Sequence, residues 1–573
     1  MTWNLIAQSD AYKAQETVLQ APAAGGDIRI ALGFPNTYQV GMSNLGLQVV
    51  YSILNSLPGV VCERFFLPNA RELEWYRQSG RRLFTLESQR PLSDFQIVAF
   101  SVAFELDYVH LPQILDLAGL PLFSAQRIPL EGAPLVIAGG AISLLNPEPL
   151  ADLVDLFCLG EGENFLPAFI ERYRAWQKSA SRSKLELLQE LAALPGAYIP
   201  SFWEARYEQG QYVETIPRPG APANPPQRLH LTPQEYASTC QHSQILTEDT
   251  ELGFSGLVEL SRGCAFNCRF CTVGFSYPKI RWKPLEVVWS AIERLSRVTS
   301  KVGLISATAG TYPQLEELCE RLIEARLSVA FSSLRVNNLP DILLRALVEG
   351  GSKTITLAPE VGSDALRRVA NKLFTDAQYL ESARRSFEAG MINLRMYSMV
   401  GLPGEEREHL QALVDLAADT RRLQVACGRG RGKITLSTGQ LIPKPFTPFQ
   451  WLPLLERSKA SKALHFLERG VAKIGGVEFN SESPKLAFVQ ALLARGDRRL
   501  GQVLASIYGD PSFRAWQQAA KGVGIDLERE LYTPRPLSES HFPWLHLAPA
   551  GSLERLEREE SLYRRSVEAL KAE

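Results

Sequence analysis

The chain has 573 residues, 45% of them hydrophobic, so it can bury more than one core, and its length predicts roughly three or four domains. Its 61 Lys and Arg against 62 Asp and Glu leave a net charge of −1, which excludes the global basic field expected of a nucleic-acid-binding chain. The amino terminus lacks a signal-peptide pattern, and no apolar run approaches the ~20 residues of a membrane span. Of the eight cysteines, five are scattered and do not form a disulfide framework, so we expect a soluble protein of the reducing cytoplasm.

The first third of the chain alternates short apolar runs with amphipathic stretches. Strands are predicted at residues 27–34, 60–67, 95–104, 135–139 and 155–159, with helices at 44–57 and 110–117. This alternation is typical of a parallel, doubly wound sheet. Residues 1–175 are therefore predicted to form a Rossmann-like α/β domain. Residues 176–250, charged at first and then rich in Pro and Ala, are predicted to be an extension and linker.

A second series of β/α units begins near residue 251. Strands are predicted at 257–260, 302–307, 329–332, 354–357, 393–400 and 434–441, with helical stretches between them. Six such units predict a partial TIM-type (β/α)6 barrel over residues 251–450, whose chemistry would sit at the carboxyl ends of the strands. Residues 451–573 are rich in Arg and Leu and predict a mostly helical C-terminal region.

Three cysteines follow directly after the first strand of the second series. Cys264, Cys268 and Cys271 have the spacing C-x3-C-x2-C. Three thiolates on one loop can each bind one iron of a [4Fe–4S] cluster and leave the fourth iron open. A structural zinc site would need a fourth ligand, and neither His242 nor His409 belongs to a second ligand pair. The spacing therefore indicates an iron–sulfur cluster.

The predicted N-terminal domain carries features of a second cofactor site. After its first strand, Asn36-x-Tyr38-x-x-Gly41 stands where cobalamin-binding domains often have D-x-H-x-x-G, whose histidine is the lower cobalt ligand. A phenol with a pKa near ~10 is a poor ligand at neutral pH.

Further along the same domain, three small residues lie where a doubly wound sheet binds ligands. Ser101 lies near the end of the third predicted strand, and the pair Gly139 and Gly140 follows the fourth and would let a ligand approach the backbone closely. Three interpretations stay open for the domain: a cobalamin site without an axial histidine, a degenerate scaffold, or a substrate-binding domain.

With these motifs, the chain resembles a largely uncharacterised group of radical S-adenosylmethionine (SAM) proteins that contain a cobalamin-binding domain. The resemblance implies that the open iron chelates the amino and carboxylate groups of SAM, and that the reduced cluster cleaves SAM to a 5′-deoxyadenosyl radical. The stretches that carry it, besides the cysteine loop, are residues 38–51, 139–163, 358–360, 443–451 and 494–501.

The resemblance also suggests cofactor-binding residues around the cluster. Phe270 would shield the cluster, Gly310 lies in a turn suited to the SAM amino group, Glu360 would accept hydrogen bonds from ribose or ammonium groups, and Arg395 would pair with the SAM carboxylate. Ser332 and Arg335 end the third predicted strand and join this set, as does Ser333. For Gly310 an ordinary turn and for Glu360 a structural ion pair remain alternatives.

The function predicted from these features is a radical SAM enzyme, with methyl transfer from cobalamin to an unknown small molecule as one outcome. The alternatives are a radical SAM isomerase, cyclase or coupling enzyme without cobalamin, and a non-enzymatic iron–sulfur redox sensor. Radical SAM methylthiotransferases carry further cluster cysteines in their N-terminal domain, where this chain has only Cys62 and Cys158, which argues against methylthiolation. An electron donor such as flavodoxin or ferredoxin is the expected partner. The basic loop 428–433 suits a phosphate or a solvated connection.

Overall fold

The computed structural model describes residues 2–179, 183–222, 225–277, 279–332, 334–537, 541–549 and 551–572. Its N-terminal part is built on a six-stranded sheet. The strands are, in spatial order, Val60–Phe66, Ile28–Phe34, Ile97–Ser101, Leu135–Gly139, Leu156–Cys158 and Ala197–Tyr198. The first five are parallel and the last is antiparallel. The predicted doubly wound α/β sheet is confirmed, and its strand order places the switch point between Ile28–Phe34 and Ile97–Ser101.

Helices cover both faces of this sheet, so its strands are buried and consist of continuous apolar runs. The Asn44 side chain accepts a hydrogen bond from the backbone N–H of Leu47 and starts one helix, while Gly80, at φ 62°, ends another. The helices of this part are Tyr38–Met42, Leu45–Ser56, Ala70–Ser79, His110–Leu117, Ser124–Arg127, Gly162–Gln177 and Lys184–Ala192.

The second series forms two parallel sheets that do not close into a barrel within the described residues. The first holds Gly256–Glu259, Lys301–Ile305 and Ser328–Phe331, and the second holds Thr354–Glu360, Asn393–Val400, Ile434–Gln440 and Val477–Ser481. All six predicted strands are present. The seventh, Val477–Ser481, lies beyond residue 450 and was missed because it is a short, half-exposed edge strand with little apolar signal.

Helices flank these two sheets and form the C-terminal region. Those of the second series are Thr272–Ser276, Leu285–Ser296, Leu315–Glu324, Asp341–Glu349, Asp364–Val369, Asp376–Ala389, Arg407–Ala426 and Arg457–Val471. Those that follow are Pro484–Arg495, Leu500–Ile507, Phe513–Gly522 and Ser552–Ala572. Within the described residues, none of the helices combines the length and apolarity that crossing a membrane requires.

The C-terminal helices do not form a separate core. Phe488, Leu504 and Trp516 are buried in the same apolar cluster as the N-terminal sheet. Asn146 reinforces this contact, since its side-chain amide donates hydrogen bonds to the carbonyls of Ala494 and Gly496 at 3.3 and 2.6 Å. The stretch 494–501 thus joins the C-terminal region to the N-terminal domain.

Smaller elements add to the fold, among them the helix Pro233–Ser238 and the antiparallel strand pair Ser261–Arg262 and Arg281–Trp282. A helix at Thr2–Ala14 leads to a two-residue strand, Thr17–Val18, that pairs with Ile245–Leu246. A hairpin of Trp203–Glu208 and Gln211–Pro217 occupies part of the predicted linker 176–250. Its polar, half-exposed strands carry little apolar signal, so the sequence did not indicate them.

Candidate functional site

The three cysteines lie on one compact loop at the carboxyl end of strand Gly256–Glu259. Gly263 begins the loop at φ 93°, and a side chain there would collide with the carbonyl oxygens of Tyr277 and Lys279, so glycine is required. The backbone N–H of Cys264 donates to the carbonyl of Tyr277 at 3.1 Å, and that of Cys271 donates to the carbonyl of Cys268 at 3.0 Å. These bonds fold the loop back on itself.

The cysteine loop suits a cluster bound through separate irons. Cys264 and Cys268 are buried and Cys271 is half-buried. Burial raises the pKa of the Cys264 and Cys271 thiols, so iron binding must displace protons there. Among the described residues, no three acidic, histidine or cysteine side chains converge on one metal ion. Three thiolates that bind different irons of a cubane need not converge in this way.

Two distant segments hold this loop in place. Arg269 donates to the backbone carbonyls of Arg368 and Val369 at 3.1 and 3.0 Å. The Asn371 amide donates to the carbonyl of Asn267 at 2.8 Å. From the C-terminal helix Ser552–Ala572, Arg555 donates to Oδ1 of Asn267 at 2.7 Å. Sequence reasoning missed these residues, since nothing local marks them as neighbours of the cluster.

Phe270 and Arg335 line the cysteine loop. Phe270 is half-buried and packs against an apolar cluster that includes Leu366, Val369 and Tyr563. Arg335 lies with its guanidinium carbon 3.7 Å from the centre of the Phe266 ring, and its Nη1 is 3.6 Å from Sγ of Cys268. The structure therefore places a cation beside one of the three predicted cluster ligands, where the sequence prediction placed it near SAM.

Arg335→Met is expected to lower the reduction potential of the reconstituted cluster. The substitution removes a positive charge and a donor next to a ligand sulfur, and both raise the potential of iron–sulfur clusters. Arg335→Lys keeps the charge without the planar fork, so the cluster potential of this variant should lie between those of wild type and Arg335→Met. Potentiometric titration followed by electron paramagnetic resonance measures this, and an unchanged potential in Arg335→Met would contradict it.

Gly310 and Ser332 both have a structural reason for their residue type. A side chain at Gly310 would collide with the backbone carbonyl of Asn338, so a close backbone approach requires glycine there. Ser332 exchanges hydrogen bonds with the backbone of Ser306 at 2.8 and 2.9 Å, which ties the ends of two neighbouring strands together. Ser333 lies outside the described residues.

Glu360 and Arg395 lie in the second sheet. Glu360 has a left-handed backbone at φ 63°, an unfavourable conformation for a residue with a side chain, and its carboxylate pairs with Lys372. This pair is consistent with the alternative of a structural ion pair. Its Lys372 directly follows Asn371, whose side chain contacts the cysteine loop. Arg395 is exposed, in register with Thr356 and Thr435 on the neighbouring strands.

A cavity of about 410 Å³ separates the carboxyl edge of the N-terminal sheet from the cysteine loop. Ser101, Gly139 and Gly140 lie in its wall, opposite Val273 and Tyr277 from the segment just after Cys271. Most of the wall is apolar. The cavity reaches between the sheet and two helices, where its lining residues are Leu32, Val49, Val50, Ile53, Ala99, Ile137 and Leu166.

A network of charges closes the polar side of this cavity. Arg262, two residues before Cys264, contacts Glu161 at 3.0 Å, Glu163 at 2.8 Å and Glu259 at 2.9 Å. The same Glu161 is paired with Arg281, and these two cations hold the pKa of its carboxyl below its usual range despite burial. Because Glu161 and Glu163 belong to the N-terminal domain, the network joins that domain to the cysteine loop.

The motif Asn36-x-Tyr38-x-x-Gly41 lies outside the cavity wall. Tyr38 is buried, donates to Oε1 of Glu16 at 2.7 Å and stacks on Tyr12. Burial raises the pKa of its phenol, so it stays neutral. The Asn36 amide donates to Asp107 at 3.0 Å, and a side chain at Gly41 would collide with Phe66. No histidine is found among the described residues of the wall.

Two family models match this chain. Residues 46–200 match the model for the N-terminal part of radical SAM proteins, and residues 258–417, which contain the cysteine loop, match that of the radical SAM superfamily. Together they cover more than half of the chain. The chain therefore belongs to the radical SAM superfamily and is an enzyme of this class, with a [4Fe–4S] cluster and SAM as cofactors.

Similar proteins are known from other organisms. An uncharacterised protein of Methanocaldococcus jannaschii is 26% identical over 83% of this chain and 90% of its own length. An uncharacterised methyltransferase of Pyrococcus horikoshii is 28% identical over 28% of this chain, and the match spans 36% of that protein. The solved structure of the radical SAM methyltransferase TsrM from Kitasatospora setae, with cobalamin and a [4Fe–4S] cluster bound, covers 94% of this chain and 99% of its own at 14% identity and a TM-score of 0.48.

Proposed function

We propose that this enzyme is a cobalamin-dependent methyltransferase that acts on a small molecule held between its N-terminal sheet and its cysteine loop. One observation carries the proposal: a large, mostly apolar cavity lies at the carboxyl edge of the doubly wound sheet and faces the cysteine loop. This edge is where doubly wound sheets bind ligands. When bound, the reduced cluster with SAM supplies a 5′-deoxyadenosyl radical, and methylcobalamin supplies the methyl group.

The cavity wall fits the chemistry of a corrin. Its apolar part suits the faces of a macrocycle, and its polar side, which includes Gln241, Glu163 and Ser261, offers donors and acceptors to peripheral amides. Gly140, at φ 89°, suits this wall as glycine, since a side chain there would be strained and would crowd the backbone of Val102.

The chain's own residues have separate roles in this proposal. Cys264, Cys268 and Cys271 hold three irons, and Phe270 with its apolar neighbours excludes water from them. Exposed Arg395 is proposed to pair with the SAM carboxylate through its planar fork.

Corrin bound by this protein is expected to lack a nitrogen ligand from the chain. Tyr38, at the motif position of the axial histidine, is turned away from the cavity and hydrogen-bonded to Glu16.

The decisive first measurement is the corrin content of anaerobically purified protein from cells fed hydroxocobalamin. About one corrin per chain supports methyl transfer. Absence of corrin in protein with an intact cluster would contradict the proposal and favour radical chemistry without cobalamin.

Ala141→Trp is expected to reduce the corrin content at least tenfold and to leave the iron content unchanged. Ala141 lies in the cavity wall and is exposed, so an indole there would occupy cavity space without disturbing a packed core. Ala325→Trp, at an exposed helix end of the second series, is the matched control and should retain corrin. Equal corrin contents in both variants would place the cofactor elsewhere.

The reaction implies an electron donor, and a flavodoxin or ferredoxin in a reducing cytoplasm would meet this need. The protein's thiols support such a setting. Cys62, Cys158 and Cys319 are free and buried. Burial raises the pKa of Cys158, in the cavity wall, to about 12, so the thiol stays protonated.

A further inference from the structure

Arg228 is a buried cation without a hydrogen-bond partner among the described residues. The residue is 9% exposed, and this lack of a partner holds for all three of its guanidinium nitrogens. Burial lowers the pKa of Arg228 only to about 10, so the group remains charged at neutral pH. A buried charge without a partner is strongly unfavourable, so this arginine would be stabilised by an anion.

The groups around Arg228 do not neutralise it. Its guanidinium carbon lies 4.2 Å from the centre of the Phe446 ring, a contact weaker than an ion pair. Glu161 follows the strand Leu156–Cys158, and its carboxylate is already paired with Arg262 and Arg281. The site is therefore electropositive.

Arg228 lies where the parts of the active site meet. The next residue, Leu229, forms a bridge with Gly160, which lies in the cavity wall. Phe446, which covers the guanidinium, packs in one apolar cluster with Phe275 of the helix that follows Cys271. Phe446 also has a left-handed backbone at φ 58°, a strained conformation that is typical of functional sites.

We propose that Arg228 binds an anionic group of the substrate, a carboxylate or a phosphate, and that the substrate of this enzyme is therefore an acid. The planar guanidinium fork matches both anions in a bidentate geometry. Arg228 and Phe446 are not among the residues that line the cavity, so a ligand would reach the fork only if the Phe446 ring were displaced. The inference rests on the proposed function, because it takes the cavity beside the cysteine loop as the substrate site.

The test compares wild type with Arg228→Met and Arg228→Lys, all full-length and cluster-reconstituted without oxygen. In chloride buffer, Arg228→Met should have a Tm several degrees above wild type, because it removes an unpaired buried charge at similar volume. Inorganic phosphate and acetate should each raise the Tm of wild type and of Arg228→Lys, but not of Arg228→Met. Arg367→Met is the control, since buried Arg367 is paired with Asp364 and Asp376, and its Tm should fall.

A lower Tm for Arg228→Met, or equal responses to phosphate and acetate in all proteins, would overturn the proposal. Two further readings identify the source of the anion. A tenfold loss of SAM affinity or of corrin content in Arg228→Met would assign the anion to a cofactor and would equally overturn it. Formation of 5′-deoxyadenosine and corrin content in wild type test the proposed function independently, since anion binding at Arg228 requires neither.

Discussion

Cys268→Ala is expected to abolish the reductive cleavage of SAM. With two thiolates left, the loop can no longer hold three irons of the cluster, so the electron that cleaves SAM has no source. Iron and sulfide per chain should fall sharply after reconstitution, and 5′-deoxyadenosine after dithionite reduction should drop below detection. Cys264→Ala and Cys271→Ala should behave in the same way.

The matched control for this loss is Cys427→Ala. Cys427 is a free, half-buried cysteine that follows the helix Arg407–Ala426 and takes no part in the cysteine loop. Its variant should keep both the iron content and the yield of 5′-deoxyadenosine. Full SAM cleavage by Cys268→Ala would remove the basis for assigning the cluster to this loop.

Arg262→Ala is expected to destabilise the protein by about 3–5 kcal/mol, the usual cost of removing one partner from a buried charge network. Arg262 is 21% exposed and contacts three carboxylates, of which Glu163 and Glu259 would be left without their nearest cation. Since Glu163 belongs to the N-terminal domain and Arg262 precedes Cys264, both the cysteine loop and the proposed corrin site should loosen. The midpoint of urea unfolding and the retained corrin measure the effect.

Arg384→Ala separates this effect from the mere loss of an arginine. Arg384 also contacts two carboxylates, Glu381 and Glu388, but its side chain is 40% exposed and lies on a surface helix. Exposed pairs contribute at most about 1 kcal/mol, so this variant should unfold close to wild type. If Arg262→Ala and Arg384→Ala lost the same stability, the network between the domains would have no special role.

Much of the fold could be predicted because buried parallel strands consist of continuous apolar runs, which are visible in the sequence. The predictions at 135–139 and 393–400 coincide with Leu135–Gly139 and Asn393–Val400. Val477–Ser481 could not be found in this way, because an edge strand needs few apolar residues and gains its place by pairing with Ile434–Gln440.

The candidate site was predictable to the extent that its chemistry is local. Cys264, Cys268 and Cys271 lie close together in the chain, so their spacing alone indicates a cluster. The motif around Tyr38 shows the opposite case. Its position after the first strand is right for a cofactor ligand, but the buried Glu16, brought close by the fold, takes its hydroxyl as a hydrogen-bond donor.

The sequence by itself determined the α/β class and the order of the strands along the chain, and it predicted the cysteine ligands of the cluster, since each depends on residues close together in the chain. Tertiary structure alone decided what surrounds the cluster. Arg335 meets Cys268 across 67 residues, Glu163 meets Arg262 across 99, and Arg228 has no hydrogen-bond partner among the described residues. The side chains that carry these charges come together from separate elements of the fold. The strength of their interactions depends on how deeply the charges are buried, and that burial exists only after the chain has packed.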